Sequence, residues 1–283
     1  MDKVVNIALN EHAAWSLIDE RGRPKSGIDK LDGCSINFVM LPDNLPEGFR
    51  QIYVDSVEPD FLCTPSDKII ERSDQLSLIL TRRKDILDKC RDNARPLVYG
   101  TTWVGDLGVP DKVPTISFTC TSKYCDLADG YVLRHEIVDK LEAVKSTSPM
   151  KFEYWASSRF PLKPEIADHF IEESRGPLFS SMFHVAVENQ RCDNYFTEKI
   201  VDCFRTKTVP IYFGTADIVD YFDPEGMIII NGFSDLLNVL SRLTPQDYLN
   251  MMTHVENNYL RSLEYSRDFS DRFIESVVDY GRR

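Results

Sequence analysis

Short apolar runs recur along this chain, each followed by a stretch with helical spacing, and that alternation constrains the fold more than any other feature. In the first third the runs are "VVNIAL" from Val4, "INFVML" from Ile36, "QIYVDSV" around Ile52 and "LSLILT" ending at Thr81. Runs this short and this continuously apolar suit strands buried on both faces. A helical stretch, Arg82 to Cys90, separates the fourth run from "PLVYG", which ends at Gly100. Strands alternating with helices predict a parallel sheet covered on both faces.

The segment from Trp103 to Thr115 holds two glycines and two prolines and interrupts every periodic pattern. It has the composition of an interdomain linker. Beyond it the alternation restarts with "TISFTCTS", a helix over Gly130 to Val144, "KFEYWAS" and a helix over Lys163 to Arg175. Then come "MFHVAVEN", a helix over Thr197 to Lys207, "VPIYFG" and "MIII", with long amphipathic helices from Ser234 onward. Two such blocks predict an α/β chain of two Rossmann-like domains facing a cleft, residues 1–108 and 109–283. The length suffices for two ordinary cores. Ligands of open parallel sheets bind at the carboxyl ends of the strands, so the residues just past each strand are where chemistry is expected. No GxGxxG follows any of these strands, which counts against a dinucleotide-dependent oxidoreductase.

A formal net charge of -12 opposes general attraction to phosphate backbones and argues against nucleic acid as a partner. A small phosphorylated ligand needs only a local pair of cations. The seven cysteines are odd in number and scattered, with Cys120 and Cys125 five apart and Cys192 and Cys203 eleven apart. Those spacings match neither a disulfide framework nor a zinc site and suit a reducing compartment. The amino terminus turns polar too soon for a signal peptide, and no run approaches the roughly 18 apolar residues of a membrane span. The chain is therefore read as soluble and cytoplasmic, without membrane insertion, in the host-cell cytoplasm if its source is a virus.

The densest chemical signal runs from Phe183 to Gly214, "FHVAVENQRCDNYFTEKIVDCFRTKTVPIYFG". A buried strand delivers Glu188 and Asn189 to its carboxyl end, a polar loop follows, and a helix begins near Thr197. Thr197 suits an N-cap, which puts Glu198 and Lys199 in the first turn. Unpaired backbone N–H groups and the positive end of the helix dipole make such a start an anion site, and Lys199 adds a full charge. The plainer alternative is an ordinary helix whose first-turn charges are solvated.

This run resembles the donor motif of the glycosyltransferase family ten fucosyltransferases, E-N-(S/T), a short polar loop, then Y-(V/I)-T-E-K. Here it stands as Glu188, Asn189, Gln190, then Tyr195, Phe196, Thr197, Glu198 and Lys199, followed by "KTVPIYFG", which is similar to the family's T-(V/I)-P-(V/I)-x-x-G strand. The stretch "ISFTCTSKYCDLADGYVLRHEIVDKL" resembles the family's F-x-x-S-N loop and R-x-x-x-x-x-x-L helix, and "LILTRRKDIL" with "VYG" resembles its L-T-Y-R-x-D stretch and Y-G strand. Gln190, Phe196 and the Thr121-Ser122 pair depart from the family pattern.

The resemblance, to soluble viral or bacterial members, implies a GT-B fold. It also implies an inverting, metal-independent transfer of a sugar, L-fucose or a close relative, from a GDP-sugar donor to a hydroxyl of a glycan acceptor. It places Arg134 on the donor diphosphate together with Lys199, and Glu188, Asn189, Tyr195, Thr197 and Glu198 around the donor, with Glu198 also taking a catalytic role. In "YVDSVEPDF", Glu58 resembles the family's E-S-P element with one residue missing, which makes it the expected general base, with Asp55 as its rival. No Asp-x-Asp pair occurs to hold a divalent ion, so no cofactor or metal is expected. The alternative is a non-catalytic nucleotide-sugar or glycan-binding relative of the same fold. His12, His135, His169, His184 and His254 are dispersed and are expected to be structural. Trp15, Trp103 and Trp155 fit a core or an acceptor platform equally.

Overall fold

The computed structural model describes residues 6–10, 17, 25–55, 58–105, 107–172 and 174–281. His12 and Trp15 lie outside the described residues. The chain packs as two compact units, the first comprising Met1–Tyr99, Cys192–Tyr195 and Arg267–Arg283, the second Gly100–Arg191 and Phe196–Ser266.

In the first unit β1 (Ala8–Leu9), β2 (Cys34–Phe38), β3 (Arg50–Val54), β4 (Leu78–Thr81) and β5 (Ala94–Pro96) form a parallel sheet in that sequential order. Right-handed crossovers between strands added in one direction all arrive on the same face. Accordingly Tyr53 and Ile79 pack against Ile69 and Ile86, which come from the helices Ser66–Glu71 and Lys84–Lys89. Side chains alternate along a strand, so Ile52, Val54, Leu78 and Leu80 point to the opposite face. There they meet Phe269, Phe273, Ile274 and Val277 of the last helix, Phe269–Gly281. That helix covers apolar surface which sequential winding leaves open. Phe273 is wholly buried, 5.3 Å from the Phe38 ring, and removing such a side chain from water is worth about 1.5–3 kcal/mol.

The second sheet comprises β6 (Val113–Cys120), β7 (Lys151–Ser157), β8 (His169–Ile171), β9 (Ser181–Val187), β10 (Val209–Phe213) and β11 (Ile228–Ile229). All pairings are parallel and the spatial order is β8-β7-β6-β9-β10-β11. The chain winds outward from β6, then returns to its other side and winds the opposite way. Helices consequently cover both faces, and a crevice opens where the order reverses, beyond the carboxyl ends of β6 and β9. Each of these two strands leads into a helix that borders the crevice, Asp129–Asp139 after β6 and Glu198–Arg205 after β9.

Two sequence expectations are corrected. The stretch Lys163–Arg175 is not a helix: a 3-10 turn at Pro164–Ile166 leads into β8, which pairs with the edge of β7 through Trp155–His169, Ala156–Phe170 and Ser157–Ile171. Pro164 sets the turn, and pairing to an open sheet edge outweighs the weak preference of three residues. The helix expected over Gly130–Val144 is two, Asp129–Asp139 and Leu141–Thr147, parted at Lys140 (φ -108°, ψ 25°). Within the segment read as a linker, β6 already begins at Val113 and Thr102–Val104 are hydrogen-bonded to Asp202.

Candidate functional site

Glu188 stands at the end of β9, fully buried, and works as a clamp. Its Oε1 accepts from the Thr197 amide at 2.8 Å and its Oε2 from the Thr197 hydroxyl at 2.7 Å. Thr197 is the N-cap of the Glu198–Arg205 helix and accepts from the Lys199 amide. Lys199 Nζ in turn lies 3.1 Å from Thr197 Oγ1, 3.4 Å from Glu198 Oε1 and 3.5 Å from Glu188 Oε2. The strand end thereby fixes the helix start. Asn189, the next residue, accepts from Arg134 Nη2 at 2.8 Å. Arg134 comes from the Asp129–Asp139 helix, lies over the Tyr131 ring at 4.4 Å, and carries a buried Nε without a hydrogen-bond partner among the described residues.

These groups border a cavity of about 490 Å³ at the topological reversal, lined among others by Thr121, Arg134, Asn189, Glu198 and Lys199. Glu188 and Thr197 do not line it; they hold the residues that do. Sequence reasoning did not assign Lys123, Arg159 or Arg175 to the site, yet all three line it. They come from loops beyond β6, β7 and β8, and no local spacing ties them to the motif. Together with Arg134 and Lys199 they make the cavity cationic within an acidic protein, as a site for a doubly charged phosphate requires.

Residues 169–278 match the family model described as "Glycosyltransferase family 10 (fucosyltransferase) C-term". Residues 169–278 are thus similar to the carboxyl-terminal domain of glycosyltransferase family 10. Among relatives, an alpha-(1,3)-fucosyltransferase FucT of Helicobacter pylori is 28% identical over 81 residues, which cover 29% of this chain and 16% of that protein. An alpha-(1,3)-fucosyltransferase C of Drosophila melanogaster is 37% identical over 51 residues, covering 18% and 12%. The matched stretches are thus a small part of those relatives' lengths. Among solved structures, an alpha1,3-fucosyltransferase crystallised with GDP-fucose superposes with a TM-score of 0.51 at 13% identity, covering 86% of this chain and 78% of that one. The likeness is one of fold, the two parallel α/β units of the GT-B class.

Around the cavity burial and charge act in opposition. Burial pushes the Glu188 carboxyl above its ordinary range, against the pull of Lys199. Burial also works to raise Glu198, but Lys199, Arg175 and hydrogen bonds from the Thr197 side chain and its own amide together outweigh it and leave that carboxyl below the usual value. His184 is buried and lines the cavity, 2.9 Å from the Ser117 hydroxyl, and burial together with Arg175 pulls it down to about 3. It is a neutral structural residue. His254 bonds Asp223 and His169 lies beside Trp155, both away from the cavity lining.

Asp202, one turn beyond Glu198, is fully buried. Its Oδ1 accepts from Thr102 Oγ1 at 2.7 Å and from the Trp103 amide at 2.9 Å, while Oδ2 has no hydrogen-bond partner among the described residues. Burial raises this carboxyl from 3.8 to about 7 against those hydrogen bonds. Between about pH 4 and 7 the unfolded chain has therefore released a proton that the folded protein keeps. Stability due to this group is greatest below that window and declines as pH rises through it. At about 1.4 kcal/mol per unit, the ceiling is about 4 kcal/mol. Urea unfolding at stepped pH should show Asp202→Asn gaining stability relative to the parent from pH 4 to 7 and levelling off above. A difference constant across the window would mean that Asp202 ionises normally.

The remaining sequence-assigned residues lie in the first unit. Tyr195, fully buried, has its ring under the Arg82 guanidinium at 5.0 Å and does not line the cavity. Arg82 also donates to the carbonyls of Asp193 and Glu58 and pairs with Asp60 at 2.6 Å. It thereby pins the turn that carries Glu58, whose side chain is half-buried. Asp55 is wholly buried, paired with Arg83 Nε at 2.6 Å and accepting from Thr81 Oγ1 at 2.9 Å. Its geometry is that of a structural anion.

Proposed function

We propose that this protein is an inverting, metal-independent transferase that moves L-fucose or a close relative from a GDP-sugar to a hydroxyl of a glycan acceptor. The observation that carries this reading is the convergence of Arg134 and Lys199 on one cavity wall, each held by a residue of the Glu188-Asn189 pair. Breaking the bond between the anomeric carbon and the phosphate oxygen leaves its electron pair on GDP and positive character on the sugar ring. Fixed cations stabilise the first and a carboxylate the second. Arg134 can fork onto the phosphate oxygens while Lys199 and the positive end of the helix dipole meet the rest. Glu198, which lines the same cavity, is the carboxylate at the helix start. The acceptor oxygen attacks the anomeric carbon from the opposite side, inverting it, and Glu58 takes the proton. The fucosyltransferase relatives and the family match to residues 169–278 support the donor class. Among the described residues no helix is long and apolar enough to cross a membrane; cytoplasmic residence belongs to the same proposal and rests on the scattered cysteines.

Calorimetry with GDP tests the donor site. Arg134→Ala and Lys199→Ala each remove a charge-assisted bond worth about 1.5–3 kcal/mol, so affinity should fall about ten- to hundredfold. Unchanged binding in both variants would refute the assignment. Tight binding without release of GDP from the nucleotide sugar would favour a binding-only protein. Turnover should persist in EDTA, because the proposal leaves charge neutralisation to Arg134, Lys199 and the helix start; loss of turnover restored by manganese or magnesium would overturn metal independence.

A further inference from the structure

Arg175 lies outside the Glu188–Lys199 motif and borders the same cavity. It precedes the 3-10 turn Gly176–Ser180, and its guanidinium lies over the Trp103 ring at 3.9 Å, with Nη1 3.8 Å from Glu198 Oε1. Trp103 is 55% exposed, too open to be fixed by packing alone. Its backbone is fastened instead at Asp202, which accepts from the Trp103 amide and from the Thr102 hydroxyl beside it. Asp202 and Glu198 are four residues apart on one helix and so share a face. One end of that face carries the carboxylate and the other anchors the ring that seats its cation.

A carboxylate as buried as Glu198, 5% exposed, stays ionised only beside cations. The cations acting on it are Lys199 and Arg175, which favour ionisation, while Glu188 and Asp202 are the neighbouring acids, both themselves raised by burial. Lys199 is shared, since its ammonium also serves Thr197 and Glu188. Arg175 faces Glu198 at 3.8 Å, with Asp202 the further acid acting on it. Lys199 and Arg175 are thus the two cations that hold Glu198 ionised against its burial.

We propose that Arg175, seated on Trp103 and anchored through Asp202, is a positioning residue that holds the Glu198 carboxylate ionised and directed into the cavity. There the carboxylate faces the hydroxyls and the developing positive charge of the transferred sugar, a role that rests on the donor-site reading above. Without Arg175 the diphosphate keeps Arg134 and Lys199, but the carboxylate loses one of its two cations. Binding of the nucleotide is then largely retained while the rate of transfer falls and its acid limb moves to higher pH.

Two measurements separate this role from the reading on which it rests. The first needs no ligand: carbon-13 NMR of labelled glutamate carboxyls, with Glu198 identified by the signal lost in Glu198→Gln. The Glu198 midpoint should rise by roughly 1–3 pH units in Arg175→Gln, the usual effect of one adjacent opposite charge. It should rise likewise in Trp103→Ala and stay near the parent value in Arg175→Lys. The second is GDP calorimetry alongside transfer kinetics. Arg175→Gln should bind GDP within about threefold of the parent and lose about tenfold or more in kcat, less than the 10²–10³ of a donor aimed directly at the reacting charge. Arg175→Lys should recover part of that rate. An unmoved Glu198 midpoint in Arg175→Gln overturns the positioning role whether or not GDP binds. A loss of GDP affinity as large as that of Arg134→Ala overturns it as well, by making Arg175 a phosphate ligand. If the unaltered protein fails to bind GDP, the donor reading and the catalytic part of the proposal fall, and the midpoint alone decides the ion pair.

Discussion

Gly130→Ala is expected to destabilise the protein and to cost it most of its GDP affinity, although alanine is the better helix former. A Cβ at position 130 would stand 1.7 Å from the carbonyl oxygen of Glu188 and 2.8 Å from that of Asn189. Both atoms are backbone, so no side-chain rotation relieves the overlap. Either the end of β9 or the Asp129–Asp139 helix has to shift. Helix propensity returns about 1 kcal/mol, against about 1–3 kcal/mol for ordinary overpacking, and a rigid obstacle belongs at or beyond the top of that range. The consequence for the site follows from position. Arg134 is one turn along the same helix, and Glu188 and Asn189 hold Thr197 and Arg134. A shift of even half an ångström separates partners now 2.7–2.8 Å apart. Thermal unfolding should show a lowered midpoint, and calorimetry a loss of GDP affinity above tenfold, or about 1.4 kcal/mol. A variant with the parent midpoint and affinity would show that the two elements part at no cost.

What sequence could and could not supply follows from the range of the interactions involved. Thr197 as N-cap, Glu198 and Lys199 in the first turn and Asn189 at a strand end were legible, because each depends on neighbours within a dozen residues. So were most strands, whose apolar runs survive burial on both faces. The stretch Lys163–Arg175 misleads because Ile166, Phe170 and Ile171 imitate helical spacing among good helix formers, whereas β8 exists only through pairing with β7. Arg175 and Trp103 are 72 residues apart in the chain and meet only after the second sheet has formed. The clamp role of Glu188 was hidden for a different reason: a motif names a residue without saying whether it faces the ligand or the residue behind it. Glu58 was the expected base in "YVDSVEPDF" with Asp55 as its rival, and what surrounds each of them now sets the two apart.

That separation gives the largest kinetic prediction. Glu58→Gln should lower kcat about 10²- to 10⁴-fold, the usual contribution of a positioned base, and leave GDP affinity nearly unchanged, since the proposed diphosphate ligands are Arg134 and Lys199. The substitution keeps the size of the side chain, and the turn remains pinned through the Glu58 carbonyl, which accepts from Arg82 Nη2 at 2.8 Å. Folding should therefore be little affected. Asp55→Asn should fail differently. It leaves the Arg83 guanidinium, 4% exposed, without its anionic partner, and breaking a buried pair from one side costs about 3–5 kcal/mol. Its signature is a depressed unfolding midpoint with near-normal turnover in whatever fraction stays folded. Measuring kcat and the unfolding midpoint for both variants resolves the two roles. Should Glu58→Gln transfer sugar at the parent rate while folded Asp55→Asn does not, the proton goes to Asp55 and the ion pair with Arg83 must open during the reaction.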